Sequence, residues 1–550
     1  MDNIRLFLWF AFLGTLWLSY TTWVADYGPT APPQTPSASS EVPSSAPAPA
    51  SPLPELDDHD QAPLAGEAPS PVAAPAQAIH VQTDVLDLLI DTHGGDIVRA
   101  DLPTYPVDKS NPDRAVRLLD YAPDDLWVFQ TGLRDAADES AEPNHLATFH
   151  SDNQSYRLAD GQDELVVTLE WVNDGPVKAR KVYRFHRGEF DVDLDLELDN
   201  GGSAPWRGAA YSQMVRVHHP SQRHFASVES YSFRGPVLYD GDQYHKLKFE
   251  DLTKQAETQT LMNGWFASIQ HHFLAAIVPP GSDETRYQAI ARGPEYILTA
   301  VSPLEEIAPG AKLDYNLKLF VGPKLQRQLR ATAEGMELTV DYGVFTVLAQ
   351  PLFWILSHIH TWVGNWGWAI IICTIFIKLA FYKLTATSGR SMAKMRKLAP
   401  RMKALQERFK DDRQALSQAM MELYKREKVN PAAGCLPILI QMPFFLAFYW
   451  VLVESVELRQ APFMLWINDL SVRDPYFVLP VLMAAAMFLQ TRLNPAPPDP
   501  VQARVMQIMP LVFSGMFALF PAGMVLYWLT NTVLSILQQW RINQLVARES

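Results

Sequence analysis

A lysine stands inside the apolar stretch Asn365–Leu384, NWGWAIIICTIFIKLAFYKL. In a helix rising ~1.5 Å per residue, Lys378 lies about 7–8 Å deeper than Lys383. A lysine in hydrocarbon costs roughly 2.5–3.5 kcal/mol on the insertion scale. It either snorkels its ammonium to the near head groups or faces a polar cavity or partner. Thr374 lies one helical turn away on the same face. In the last apolar stretch, Met524–Trp540, the residues Tyr527, Asn531, Ser535 and Gln538 recur at helical spacing and make one polar stripe. Gln441 sits about a turn and a half into Cys435–Val453. Hydrogen bonding between helices explains any one of these residues. Several of them together with a lysine, all near one membrane face, predict a hydrated cavity open on that side. A fixed cation in a low-dielectric groove attracts acidic groups far more strongly than it does in water. The chemistry on offer is therefore capture. The groove holds the acidic, polar end of a peptide while an apolar segment slides along neighbouring helices into lipid.

The elements that must position these residues are membrane helices and a basic hairpin. From Thr385 to Asn430 lysines and arginines outnumber acids, which marks the cytoplasmic side. Met392, Met395, Leu398, Met402, Leu405 and Phe409 recur at three- and four-residue spacing, and Leu416, Met420, Met421 and Leu423 do so again. That pattern predicts two amphipathic helices joined at 410–413, with the methionines as their own seam. The basic face suits anionic lipid or ribosomal RNA. Beyond it, Cys435–Val453, Tyr476–Gln490, Val505–Phe520 and Met524–Trp540 read as four spans, with an outside loop at Val456–Pro475. Val340–Trp362, interrupted by Gly343 and Pro351, reads as an interfacial helix before the chain turns in at Gly364-Asn365-Trp366-Gly367; a separate spanning helix is the alternative, but it would invert the topology downstream and the charge count argues against it. At the other end, Leu6–Val24 reads as an uncleaved anchor with a cytoplasmic N-terminus. Six spans and cytoplasmic termini follow, with the large middle region outside.

The expected domains are an N-terminal transmembrane anchor (1–27), a Pro/Ala/Ser-rich linker (28–79) and a β-sandwich (80–330). An interfacial helix region (331–363), a transmembrane helix carrying Lys378 (364–384), a cytoplasmic helical hairpin (385–430) and four transmembrane helices (431–545) complete the chain. The linker lacks the aromatic and β-branched residues needed to bury a core. In the sandwich region, segments such as Phe190-Asp191-Val192-Asp193-Leu194-Asp195-Leu196-Glu197-Leu198 alternate strictly, and Gly, Pro, Asn and Asp punctuate them. About 250 residues of such strands predict an antiparallel sandwich. His218-His219, His224, His271-His272, Asp240 and Asp242 are its candidate ligands or acid–base groups. Adjacent histidines in a strand face opposite ways, so neither pair is a natural chelate. HExxH, GxSxG and paired-carboxylate motifs are missing, and these residues read as ordinary surface and core groups. The net charge is -14, with acid concentrated in the middle of the chain and base after Lys378, so its asymmetry speaks to topology rather than to partners. The two cysteines, Cys373 and Cys435, fall in or beside apolar segments and give neither a disulfide framework nor a zinc site. No nucleotide fold, P-loop or redox site is legible, so partitioning must supply the work.

These residues resemble the YidC/Oxa/Alb family of membrane protein insertases in its long Gram-negative form. The resemblance rests on Gly364-Asn365-Trp366-Gly367 and on Ser391-Met392-Ala393-Lys394-Met395. Asn430-Pro431, Gly434-Cys435-Leu436-Pro437-Ile438-Leu439-Ile440-Gln441-Met442-Pro443, Ser455 to Phe463, and Pro521-Ala522-Gly523 with Tyr527 add to it. It implies a multi-domain bacterial inner-membrane protein with a five-helix α-helical insertase core behind an anchor and a periplasmic antiparallel β-supersandwich. It further implies a chaperone that inserts and helps fold inner-membrane proteins, alone or with the Sec translocon, near ribosomes and in contact with membrane lipids. It implies neither enzymatic activity, nor a cofactor or metal, nor a small-molecule substrate. The residues expected to form the groove and contact clients are Lys378, Thr374, Gln441, Tyr527, Trp528, Asn531 and Ser535. The family's groove usually carries an arginine where this chain has Lys378; lysine keeps the charge and loses the bidentate fork. Lys383 stands where a proline is usual and reads as an interfacial anchor. Two other readings remain open from the residues alone: a secondary transporter using Lys378, and a membrane-tethered glycan-active enzyme in the sandwich. The first lacks paired repeats, and the second lacks a carboxylate pair.

Overall fold

The computed structural model describes residues 77–109, 111–136, 142–220, 232–409, 412–427, 436–493 and 500–548. The anchor over 1–27, nearly all of the linker, His224 and Cys435 lie outside the described residues.

Residues Ala78 to Pro323 form three sheets of five, nine and six strands, packed as a β-sandwich. The middle of the nine-stranded sheet shows why this sequence makes strands. Along Asp191–Asn200 every second residue is buried, so Val192, Leu194, Leu196 and Leu198 face the core. Leu194 pairs with Tyr183 on one neighbour and Leu317 on the other. The outward acids answer cations across the ladder: Asp195 binds Arg184 at 3.1 Å, and Lys318 lies 3.3 Å from both Asp191 and Asp193.

A lysine is sealed inside this sandwich. Lys181 is 1% exposed, and its Nζ donates to Asp96 Oδ1 at 2.7 Å, Gly94 O at 2.6 Å and Thr131 O and Oγ1 at 2.8 Å. Burial pushes its ammonium down and the Asp96 carboxyl up from their ordinary values, each against the pull of the other's charge.

A short helix α1 (Gln326–Thr332) leads out of the sandwich to α2 (Thr346–Val363). The stretch Gly343–Val363 is long and apolar enough to cross a membrane by length and composition. Ala349, Leu352, Phe353, Leu356 and Ile359 face inward from α2, while Val347, Trp354 and Trp362 are exposed. The following residues make a tight corner. Gly364 ends α2 in the left-handed conformation (φ 67°), which glycine adopts without Cβ strain. Asn365 Oδ1 then accepts from Trp368 N at 3.1 Å and caps α3 (Trp366–Ala380), while its Nδ2 donates to Phe463 O at 2.9 Å. At Gly367 a Cβ would stand 2.0 Å from the Phe463 ring, so only glycine permits that packing.

Helix α3 stops at Ala380, and the chain bends 70° at Phe381 into α4 (Tyr382–Arg408). The Phe381 ring packs edge-on against Phe444 at this corner, 5.0 Å between centroids. Lys383 consequently lies exposed in the first turn of α4 rather than in line with Lys378. Helices α4 and α5 (Arg413–Arg426) form the hairpin, and Asp412 caps α5 through the backbone N–H of Gln414 and Ala415. Leu398 and Met402 are buried against Met395, Met420, Leu423 and Tyr424, so these methionines form the hairpin's own seam. Helices α6 (Leu436–Glu454), α7 (Val478–Leu493), α8 (Pro500–Phe517) and α9 (Ala522–Arg548) complete the helical part. Between α6 and α7, buried Asp474 binds Trp466 Nε1 at 3.0 Å and caps α7 through Leu479 N at 2.7 Å.

Candidate functional site

The candidate groove lies where α3, α4, α6 and α9 meet. Lys378 points its ammonium at α9 and donates to Ser535 Oγ at 2.8 Å. The Ser535 hydroxyl in turn donates to Asn531 O at 2.7 Å, one turn back along its own helix. Gln441 of α6 reaches across to Asn531 Oδ1 at 2.6 Å. One turn beyond Ser535, Gln538 donates to Thr385 Oγ1 at 2.8 Å and ties α9 to α4 past the bend. These contacts bind three helices to one polar seam along α9. No carboxylate among the described residues pairs with Lys378. Its one side-chain partner among them is a neutral hydroxyl.

A small cavity of about 20 Å³ adjoins the lysine, lined by Ile377, Lys378, Phe381, Leu384, Thr385, Gln441 and Phe444. That is room for about one water. Beside this space Gln441 meets Asn531 and Lys378 meets Ser535.

Of the other expected residues, Thr374 and Trp528 make their contacts away from the lysine, and the Tyr527 hydroxyl lies beside Gln441. Thr374 is 1% exposed and donates to Ile370 O of its own helix at 2.7 Å, so its hydroxyl does not reach the lysine. Tyr527 is buried, with its ring stacked on Phe448 at 4.4 Å and on Phe445 at 6.2 Å. Its hydroxyl has no hydrogen-bond partner among the described residues. Trp528 packs edge-on to Phe445 at 4.5 Å and against Phe517 at 5.1 Å. Thr385 and the rings of Phe381 and Phe444 were not among the expected groove residues. Thr385 stands seven positions after Lys378, two helical turns in a straight helix, a spacing that marks it as a neighbour.

The sandwich histidines settle differently from the strand-based expectation. His271 and His272 occupy the turn between the strands Trp265–Ile269 and Phe273–Val278, closed by Gln270 N to Phe273 O at 2.8 Å. Being in a turn, they do not face opposite ways; their rings stack at 3.8 Å. His272 Nε2 binds Val453 O of α6 at 2.9 Å. His218 stacks on Phe249 at 4.2 Å, and His219 lies 3.2 Å from Asp125. Asp240 accepts from the backbone of Asp242 and Gln243 and pairs with His245 at 2.8 Å, which holds its carboxyl down at about 2 and makes it a turn residue.

The sandwich is bonded to the end of α6 and to the loop after it. Arg459 donates to Pro106 O at 2.8 Å, Lys109 to Gln460 O at 2.9 Å, and Ser232 to Glu454 Oε1 at 2.6 Å. Lys324 is 3% exposed beside this seam, and burial lowers its ammonium to about 8.

Two family models match the chain: residues 78–355 match the YidC periplasmic domain, and residues 358–549 match the 60Kd inner membrane protein family. The membrane protein insertase YidC of Thioalkalivibrio sulfidiphilus is 47% identical over 559 residues, covering 99% of this chain and 98% of that protein. That of Methylococcus capsulatus is 45% identical over 554 residues, covering 100% and 99%. A solved structure of an active YidC insertase, with its first transmembrane domain resolved, aligns at 20% identity and a TM-score of 0.39, covering 86% of this chain and 94% of that one. A galactose mutarotase related enzyme from Lactobacillus acidophilus aligns over 44% of this chain and 97% of its own at 8% identity and a TM-score of 0.30. Sequence identity of this extent across both the sandwich and the helical core places the chain in the family of the membrane protein insertase YidC.

Proposed function

We propose that this chain is a non-enzymatic insertase and chaperone of the bacterial inner membrane, and that Lys378 supplies the charge that receives its clients. The observation that carries this reading is the partnering of Lys378: a half-buried ammonium that meets one neutral hydroxyl and no described carboxylate. Such a cation retains most of its attraction for an incoming acid. A client's acidic, polar end displaces Ser535 from the ammonium and parts Gln441 from Asn531. Its apolar segment then passes along α3, where Phe376 and Leu379 are 55% and 62% exposed. Similar apolar surface on α7 and α8, including Val481 and Leu511, suits contact with lipid tails rather than water. A segment of roughly 20 apolar side chains leaving water gains about 1.5–3 kcal/mol for each one fully buried, so no nucleotide is needed.

In this reading α3, α6, α7, α8 and α9 cross the membrane, the hairpin is cytoplasmic and the sandwich periplasmic. Both termini are cytoplasmic. The basic hairpin meets lipid head groups or a translating ribosome, and the Sec translocon works beside the core for larger clients. Complementation in cells depleted of their own insertase tests the proposal. Lys378→Arg sustains growth, and Lys378→Ala impairs insertion of a small membrane protein with an acidic tail. Full insertion of that client by Lys378→Ala would remove the charge from the mechanism.

A further inference from the structure

A cavity of about 410 Å³ opens on the sandwich beside the loop after α6. Three arginines and four histidines line it, and none of its described lining residues is an aspartate or glutamate. The arginines come from separate places in the fold. Arg216 is the penultimate residue of the strand Trp206–Val217, Arg234 precedes the strand Gly235–Tyr239, and Arg459 belongs to the loop after α6. Arg216 is held in place: its guanidinium lies 3.7 Å from the centre of the Trp127 ring and donates to Ser268 Oγ, which is bonded to Tyr296 OH at 2.6 Å. Arg459 is fixed by Pro106 O and lies over the Phe273 ring. Neither Arg216 nor Arg234 forms an ion pair with a described residue. At the back of the cavity His271 is 7% exposed, and its Nε2 has no hydrogen-bond partner; Glu454 Oε1 is 3.7 Å away, out of reach.

From this we infer that the cavity is a binding site for an organic phosphate, with Arg216, Arg234 and Arg459 gripping the phosphate and His271 hydrogen-bonding the ligand from within. Guanidinium forks match the oxygens of a phosphate, and three of them converging from separate elements suit a tetrahedral anion better than a planar carboxylate. The volume exceeds what a bare phosphate fills and leaves room for a body the size of glycerol or a sugar. Burial, then the neighbouring His272 and the charges of Lys324 and Arg234, hold the His271 imidazole down at about 2, so it is neutral when the ligand arrives. Its Nε2 then serves as a donor or acceptor according to tautomer. The phosphate belongs either to a phospholipid head group or to a soluble phosphoester. This inference does not depend on the groove around Lys378.

Titration calorimetry on the full chain in nonionic micelles tests it, with glycerol 3-phosphate, dihexanoylphosphatidylglycerol, glycerol and galactose as probes. At least one phosphate probe binds, more weakly as salt rises. Arg234→Gln lowers its affinity roughly tenfold, as expected for one lost charged hydrogen bond. Arg234 is exposed and outside the core, so that variant folds. Binding of the lipid alone identifies a head-group site; equal binding of glycerol 3-phosphate identifies a soluble ligand. Failure of both phosphate probes, galactose binding as tightly as either, or unchanged affinity in Arg234→Gln would each overturn the proposal.

Discussion

Lys181 in the sandwich and Lys378 in the helical core are both drawn away from water, and their surroundings treat them differently. Lys181 has a carboxylate, two carbonyls and a hydroxyl around its ammonium and is 1% exposed. Lys378 is half-buried against a single serine. A sealed charge must be answered completely or the fold loses several kcal/mol, so its partners are spoken for. A charge left with one neutral partner beside a water-sized cavity is still able to take a new one. The shell around Lys181 is complete; that around Lys378 is open to one more partner.

The largest effect expected from this contrast is at Lys181. Lys181→Met strands Asp96 and destabilises the sandwich by about 3–5 kcal/mol. Denaturant unfolding of the full chain in micelles measures it, and adding Asp96→Leu recovers most of the loss. A loss below about 1 kcal/mol in the single variant would erase the difference between the two lysines.

The stacked histidines at the seam come next. Burial lowers His271 to about 2 and His272 to about 4, against an ordinary value near 6.5. Below pH 6.5 the unfolded chain binds protons that the folded one refuses, so stability falls as pH falls. The loss approaches 1.4 kcal/mol per pH unit for each imidazole until its folded value is reached. Unfolding midpoints between pH 7 and 5 should drop less steeply in the His271→Gln, His272→Gln double variant.

Smaller effects belong to the groove. Gln441→Leu removes the bond to Asn531 and costs roughly 0.6 kcal/mol, because an amide in a groove finds water or another helix instead. Lys378→Met should leave thermal stability in micelles within about 1 kcal/mol of the parent, because no carboxylate partner is stranded. A loss as large as that of Lys181→Met would show that Lys378 is structural.

How far the sequence reveals these features follows from the range of the interactions behind them. The strands at 191–198 are legible because alternation is local and the burial it implies repeats every second residue. The stripe Tyr527, Asn531, Ser535 is legible because helical spacing alone aligns it. Which hydroxyl Lys378 takes is not. Thr374 is the nearer in sequence, yet its hydroxyl is captured by Ile370 O, and the partner is Ser535, 157 positions away. The bend at Phe381 is hidden as well, and the ring packed on it, Phe444, comes from another helix. The pairing of Lys181 with Asp96 and the docking of His272 on Val453 O join residues 85 and 181 positions apart and leave no local pattern. His271-His272 misleads because a two-residue apposition in a turn has the same letters as one in a strand.

We propose that Lys378, which meets no carboxylate among the described residues, receives one from a client. The most direct test is the in vitro insertion rate of one small client carrying either an acidic tail or the same tail with its acids changed to amides. The account predicts that Lys378→Ala slows the acidic-tailed client about tenfold, that Lys378→Arg does not, and that the amide-tailed client is indifferent to all three side chains. Equal slowing of both clients by Lys378→Ala, or of neither, would contradict it.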